Sequence, residues 1–137
     1  VIGNDSKVAF RLSGSYLAPG NVSVAGTMLS NGGYPYYSSY SVTRASVAPA
    51  VALTRASQVV PLSERGDERL PSVTMVDLRI SRPIKFGQRQ FVPQLDLFNI
   101  GNAGTIVRYN VAVGSTYLTP AEIVAPRIVR VGFSIDF

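Results

Sequence analysis

The stretch that decides the fold is Arg-Ile-Val-Arg-Val-Gly-Phe-Ser-Ile-Asp-Phe, residues 127–137. Apolar side chains occupy every second position, namely Val129, Val131, Phe133, Ile135 and Phe137. Because successive side chains of a β-strand point to opposite faces, this stretch predicts a strand with one apolar face and one mainly polar face. The apolar face continues to Phe137, whereas soluble proteins usually end in polar, poorly ordered residues. The pattern therefore favours a strand that lies in a lipid bilayer.

The same stretch resembles the C-terminal assembly signal of bacterial outer-membrane β-barrels. The residues that carry this likeness are Arg130, Gly132, Ile135 and Phe137, which fit the spacing polar, glycine, apolar and terminal aromatic. The resemblance implies that the barrel-assembly machinery reads this segment. An edge strand of a soluble β-sandwich alternates in the same way, so that alternative stays open.

The composition favours strands and turns over helices. The chain has 137 residues, of which 46% are hydrophobic and 15% charged, so it is long enough for one domain with a core. Gly, Pro, Ser and Val are plentiful, whereas lysine occurs only at Lys7 and Lys85. The sequence lacks the run of about 18 apolar residues that a membrane helix needs. Residues 1–5 lack the basic start and apolar stretch of a signal peptide.

The residue inventory excludes several functions. The chain has no Cys and no His, which excludes disulfides, Cys-based metal sites and His-based catalysis. Its arginines are scattered and form no basic run, so the net charge of +5 does not predict nucleic-acid binding. Asp77, Asp96 and Asp136 could serve an enzyme, but we expect each to pair with Arg79 or Arg130. We therefore expect neither enzymatic activity nor a cofactor.

Five segments of about ten residues read as strands, namely 7–17, 22–30, 73–84, 91–100 and 127–137. This length matches the ~9–11 residues of a tilted membrane-spanning strand and exceeds the ~5–6 of a typical soluble strand. The connections 19–21 and 86–90 are short, whereas 31–72 and 101–126 are long. Short periplasmic turns alternate with long extracellular loops in outer-membrane barrels. The sequence therefore predicts an all-β, antiparallel up-and-down meander that closes a large transmembrane β-barrel.

The turn at Gly87-Gln88 predicts the register of one hairpin, because Gly suits the first central position of a two-residue type II′ turn. Counting back gives the pairs Phe86–Arg89, Ile84–Phe91, Ile80–Leu95, Leu78–Leu97, Ser81–Gln94 and Arg79–Asp96. The side chains predicted to face lipid are Leu78, Ile80, Leu95, Leu97, Val131 and Phe133. On the opposite face, Arg79 and Asp96 are predicted to form an ion pair in the barrel lumen.

The two long connections carry patterns of their own. Tyr34, Tyr36, Tyr37 and Tyr40 lie in the first and predict an aromatic belt at the outer membrane interface. The alternative is a surface for an anionic or aromatic ligand. In the second connection, Thr119-Pro120-Ala121-Glu122 predicts one helical turn, with a capping Thr and a Pro at the first helical position.

Further segments carry a family resemblance. They are Gly33-Tyr34-Pro35-Tyr36, Glu64-Arg65-Gly66 with Arg69-Leu70-Pro71-Ser72, Val76-Asp77-Leu78-Arg79-Ile80-Ser81, Gln94-Leu95-Asp96-Leu97-Phe98-Asn99-Ile100 with Asn102, and Ala125-Pro126-Arg127 before the terminal strand. In this order they resemble the C-terminal end of a TonB-dependent outer-membrane receptor, of the acidobacterial type with a carboxypeptidase-regulatory-like N-terminal domain. The chain departs from the family at Ile100-Gly101, where an aromatic residue is common.

The resemblance implies that residues 1–137 are the C-terminal fragment of a 22-stranded barrel domain, with the plug and the earlier strands absent. The expected function is energy-coupled uptake of a ligand across the bacterial outer membrane. This segment would supply barrel wall, extracellular loops and the assembly signal. The expected partners are outer-membrane lipid, TonB through the missing plug, the barrel-assembly machinery and an unknown ligand. The alternative is a soluble all-β binding or adhesion module, which would pack its apolar face against a second sheet.

Overall fold

The computed structural model describes residues 5–47, 54–64 and 66–137. Within these ranges the chain is all-β, its sheets are antiparallel, and it contains no α-helix, which confirms the predicted fold class at this level. No helix in the described ranges is long and apolar enough to cross a membrane. Residues 1–4 and Arg65, which enter the signal-peptide argument and one family segment, lie outside the described residues.

The described residues form twelve strands and one short 3₁₀ helix. The strands are β1 (Ala9–Ala18), β2 (Val22–Asn31), β3 (Pro35–Tyr36), β4 (Ser39–Thr43), β5 (Ser57–Pro61), β6 (Glu68–Arg69), β7 (Val73–Ser81), β8 (Ile84–Phe86), β9 (Arg89–Phe98), β10 (Ile106–Tyr109), β11 (Pro120–Ile123) and β12 (Ile128–Asp136). The 3₁₀ helix is Arg44–Ser46. The chain divides into two compact units, which we call the sheet unit and the loop unit.

The sheet unit comprises Val8–Gly32, Ser72–Thr105 and Val124–Phe137. Its sheet has the strand order β1-β2-β7-β9-β12, and β8 pairs with β9 beside β7. Each long strand is antiparallel to its neighbours and follows the previous long strand in sequence. The five predicted long strands are therefore present as an up-and-down meander. No closed barrel is formed by the described residues.

The turn at Gly87-Gln88 confirms the predicted register of its hairpin. Gly87 has a φ of 63° between Phe86 and Arg89, as a type II′ turn requires, and all six predicted residue pairs of this hairpin form. Gly20 and Asn21, with φ of 81° and 60°, close the other hairpin.

The third predicted strand, 73–84, is wrong in one respect, because it divides into β7 and β8. Pro83 lies at the break and has no N–H to donate to a ladder. Arg82 still donates its backbone N–H to the Pro93 carbonyl at 3.2 Å, so β7 and β8 both pair with β9. The break therefore leaves the register of the hairpin unchanged.

The loop unit comprises the described residues of Val1–Lys7, Gly33–Pro71 and Ile106–Ile123. The part of this unit that the structure describes forms three two-stranded sheets, β3-β6, β4-β5 and β10-β11. The predicted helical turn at Thr119 is wrong, because Pro120–Ile123 is strand β11 and pairs with β10. Pro120 is compatible with the first residue of a strand as well as with a helix start. The extended conformation is the one in which Glu122 lies opposite Arg108 and forms an ion pair with it.

Candidate functional site

One side of the large sheet is a continuous apolar face. The strand pairs place Tyr16, Val24, Ile80, Leu95 and Val131 in one row across all five long strands. The next row contains only glycine and apolar residues, namely Gly14, Gly26, Leu78, Leu97 and Val129. Paired residues point to the same side of a sheet, so these rows form one surface. All six residues predicted to face lipid lie on this apolar face.

The apolar face is open at both ends of the strand order. On β12, Val131 is 79% exposed and Phe133 is 68% exposed, and on β1 Tyr16 is 66% exposed. Among the described residues, the buried apolar side chains are Val124 and Pro35. A soluble domain of this length normally buries a sizeable core. Within the described residues, the apolar side chains on both edge strands of the large sheet are therefore left uncovered.

The opposite side, which we call the polar face, carries a charge cluster at its centre. Asp96 is 2% exposed and accepts hydrogen bonds from arginines on both neighbouring strands. Arg79 Nε lies 2.5 Å from Asp96 Oδ1, and Arg130 donates from Nε and Nη2 to Oδ2 at 2.9 and 2.7 Å. Charge-assisted bonds of this kind are stronger than neutral ones. Asp96 thus joins β7, β9 and β12 through side chains as well as through the backbone.

The predicted Arg79–Asp96 pair is therefore present, and the structure adds Arg130 as a second partner. Arg130 also lies over the Phe98 ring, with its guanidinium carbon 5.2 Å from the ring centroid. Asp77 departs from the expectation that it pairs with an arginine, because its Oδ1 accepts the backbone N–H of Asn99 at 2.8 Å. Among the described residues, no three His, Cys, Asp or Glu side chains cluster as metal ligands would.

Asn99 fixes the exit of β9, and this role was not predicted. Its backbone has a φ of 49°, a conformation that Asn tolerates better than most residues. Its Nδ2 donates to the carbonyls of Ala103 and Ala125, at 3.0 and 2.8 Å, and its Oδ1 accepts the Ala103 N–H. Asn102 Oδ1 accepts the N–H of Arg127 at 3.0 Å. The side chains of Asn99 and Asn102 therefore link the end of β9 to the residues just before β12 by hydrogen bonds.

The four residues of the predicted assembly signal lie on one strand but on different faces. Arg130 and Gly132 lie on the polar face, and Gly132 is opposite Gln94. Ile135 is opposite Phe91 on the apolar face. Phe137 is 91% exposed, and the Arg89 guanidinium lies 5.5 Å from its ring centroid. The geometry leaves the terminal aromatic accessible.

The loop unit contains a cleft of about 510 Å³, which we call the tyrosine cleft. Tyr34 and Tyr36 line it together with Tyr109, which comes from the other long connection. The rings of Tyr36 and Tyr109 lie 5.8 Å apart at an interplanar angle of 55°. Partial burial and the nearby Glu68 carboxylate raise the pKa of the Tyr36 phenol. Of the four predicted belt tyrosines, Tyr37 and Tyr40 lie outside this lining.

Comparison of the chain with models of known protein families, with curated proteins and with solved structures found no match.

Proposed function

We propose that this chain is the C-terminal part of the barrel of a TonB-dependent outer-membrane receptor, which takes up a ligand across the bacterial outer membrane. The observation that supports the proposal most is the apolar face, which continues across all five long strands and is exposed on both edge strands. The family resemblance of the ordered segments is the second support. The barrel, its location and its transport role are all part of the proposal.

The chemistry of the sheet agrees with a lipid environment. Soluble proteins rarely expose a contiguous apolar patch larger than a few hundred Å². In a bilayer such a face is favourable, provided that every backbone N–H and C=O is paired between strands. Within the described sheet, β1 and β12 each pair on one side only, so further strands would have to cover both edges. A larger barrel supplies those strands.

The proposal assigns a role to each part of the chain. The sheet unit is barrel wall, with the apolar face toward lipid and the Asp96 cluster toward the lumen. The loop unit, which contains both long connections, is extracellular. Phe137, with Arg130, Gly132 and Ile135, is the signal that the barrel-assembly machinery binds. TonB would act through a plug domain supplied by the rest of the receptor.

Cysteine labelling can test the proposed orientation, because the chain has no Cys of its own. Val131 on the apolar face and Val92 on the polar face form a matched pair of equal size. Each would be changed to Cys in the full-length protein, in which any Cys outside residues 1–137 is replaced by Ser, and the protein would be labelled with bimane and reconstituted in vesicles that contain brominated lipid. Bromine quenches bimane only at short range, so only a lipid-facing label should be quenched.

We expect strong quenching at Val131→Cys and little at Val92→Cys, with the same alternation at Leu95→Cys and Gln94→Cys. Equal quenching at the two sets, or a protein that stays in buffer without binding vesicles, would contradict the proposal. The second result would favour the soluble binding or adhesion module.

A further inference from the structure

We propose that the tyrosine cleft binds a neutral saccharide. This goes beyond the proposed function, because it assigns a ligand class to a site in the loop unit and does not depend on where the sheet unit lies. The cleft takes its walls from two connections that are far apart in sequence, around Tyr34–Tyr36 and around Val107–Ala112. Its volume of about 510 Å³ is in the range of small-molecule sites.

Hydrogen bonds hold the walls of the cleft in place before any ligand arrives. Ser39 donates its N–H to the Val111 carbonyl at 2.8 Å and accepts the N–H of Val113 at 2.7 Å. On the other wall, Leu70 donates its N–H to the Tyr34 carbonyl at 3.0 Å. A site whose walls are already ordered loses less conformational entropy on binding. The cleft is therefore preorganised.

The buried hydroxyl of Ser38 adds to the hydrogen bonds between the two long connections. Ser38 is 5% exposed, and its hydroxyl lies 2.5 Å from the Tyr117 hydroxyl. The same hydroxyl donates to Glu68 Oε2 at 3.2 Å, and Glu68 pairs with Tyr36 across the β3-β6 sheet. The side chains of Ser38, Tyr117 and Glu68 therefore link the two long connections.

The chemistry of the lining favours a saccharide. A sugar ring has an apolar C–H face that packs on an aromatic ring, and its hydroxyls need polar partners at the rim. Tyr36 and Tyr109 supply the rings, while Arg108, Asn110 and Thr116 supply polar groups. Most of the remaining lining is aliphatic, as ligand sites usually are.

The charge of the cleft favours a neutral ligand over an anion. Arg108 is the one charged residue among the described residues of the lining, and its Nε lies 3.3 Å from Glu122 Oε2. An anionic ligand would have to compete with this carboxylate for the guanidinium. Sugar hydroxyls add hydrogen bonds without displacing it, because a guanidinium has five N–H donors.

Saturation-transfer NMR can test the inference with cellobiose, maltose and lactose as probes. The chain would be kept in a zwitterionic detergent, since sugar-based detergents would compete for the cleft. We expect signal transfer to at least one disaccharide, and a loss of affinity of at least tenfold on Tyr109→Ala, with Tyr109→Phe close to the parent because the ring remains. Tyr16→Ala in the sheet unit is the matched control and should bind normally.

Tyr109→Ala would also lose binding if it unfolded, so a second variant, Ala112→Trp, is needed. Its larger side chain fills the cleft, while the residues that would contact the sugar stay unchanged. It should abolish binding while the circular dichroism spectrum stays the same. Three results would overturn the inference: no transfer to any of the three disaccharides, full binding by Ala112→Trp, or binding of 4-hydroxybenzoate in place of the sugars. The last would show that the cleft selects an aromatic anion.

Discussion

Replacing Val131 with Arg distinguishes a strand that faces lipid from one that faces water. Val131 lies near the centre of β12 (Ile128–Asp136) and is 79% exposed. If that exposed surface faces water, the exchange removes almost no buried area and should alter stability by less than about 0.5 kcal/mol. If it faces lipid, the guanidinium has to enter the hydrocarbon near the midplane, at a cost of ~2–4 kcal/mol.

The difference is large enough to measure. A cost of ~2–4 kcal/mol lowers the folding equilibrium constant by roughly 30-fold to 900-fold, at 1.36 kcal/mol for each factor of ten. The cost should also fall along the strand, to about 0–1 kcal/mol for Arg at Ile135, since that position is nearer the membrane interface. Ser134→Arg is the matched control, because Ser134 is exposed on the polar face of the same strand.

The assay is reversible urea unfolding of the full-length protein folded into phospholipid vesicles, with the free energy of unfolding extrapolated to zero denaturant. We expect Val131→Arg to be destabilised and Ser134→Arg to stay within about 0.5 kcal/mol of the parent. Equal effects of the two substitutions, whether both small or both large, would refute the assignment of the apolar face to lipid.

Three further predictions concern other parts of the chain. Deleting Phe137 should lower the amount of protein in the outer membrane without lowering its synthesis, as measured by immunoblots of outer-membrane and total fractions; normal insertion would refute a signalling role. Gly33→Ala should destabilise the loop unit, because an added Cβ would lie 1.5 Å from the Leu70 carbonyl oxygen. Limited proteolysis checks this against Gly104→Ala, where a Cβ meets nothing within 4 Å. Asn99→Ala should lower the free energy of unfolding by about 1–3 kcal/mol, because the carbonyls of Ala103 and Ala125 lose the Nδ2 donor. The rate of amide hydrogen exchange at the start of β12 should rise.

The register of the β7–β9 hairpin could be predicted because its turn is short. A two-residue turn at Gly87-Gln88 leaves one way to count the pairs, and a slip by one residue would put apolar residues opposite polar ones. The confirmed Arg79–Asp96 pair follows from that count alone. The break at Pro83 did not disturb it, because β8 continues along the same neighbour.

The register between β9 and β12 could not be predicted in the same way. Their connection is long, and the alternation of apolar residues fixes only which face a side chain occupies, so a shift by two residues satisfies it equally well. Arg130 was considered as a partner of an aspartate, but its place opposite Asp96 emerges only from the structure. The three small sheets of the loop unit were missed because strands of two to five residues carry too little periodicity.

No short turn joins β9 to β12, so their register has to be fixed in another way. The side-chain hydrogen bonds of Asn99 and Asn102 do this. Two asparagines in left-handed conformations fix the ends of the connection, through bonds to Ala125 and Arg127 just before β12 begins. Most of the residues between these ends, Ile106–Ile123, belong to the loop unit. Arg130 then meets Asp96 only in the observed alignment, since a shift by two residues would carry its guanidinium along the ladder by ~7 Å. The asparagine hydrogen bonds and the Arg130–Asp96 ion pair therefore select a register that hydrophobic alternation leaves undecided.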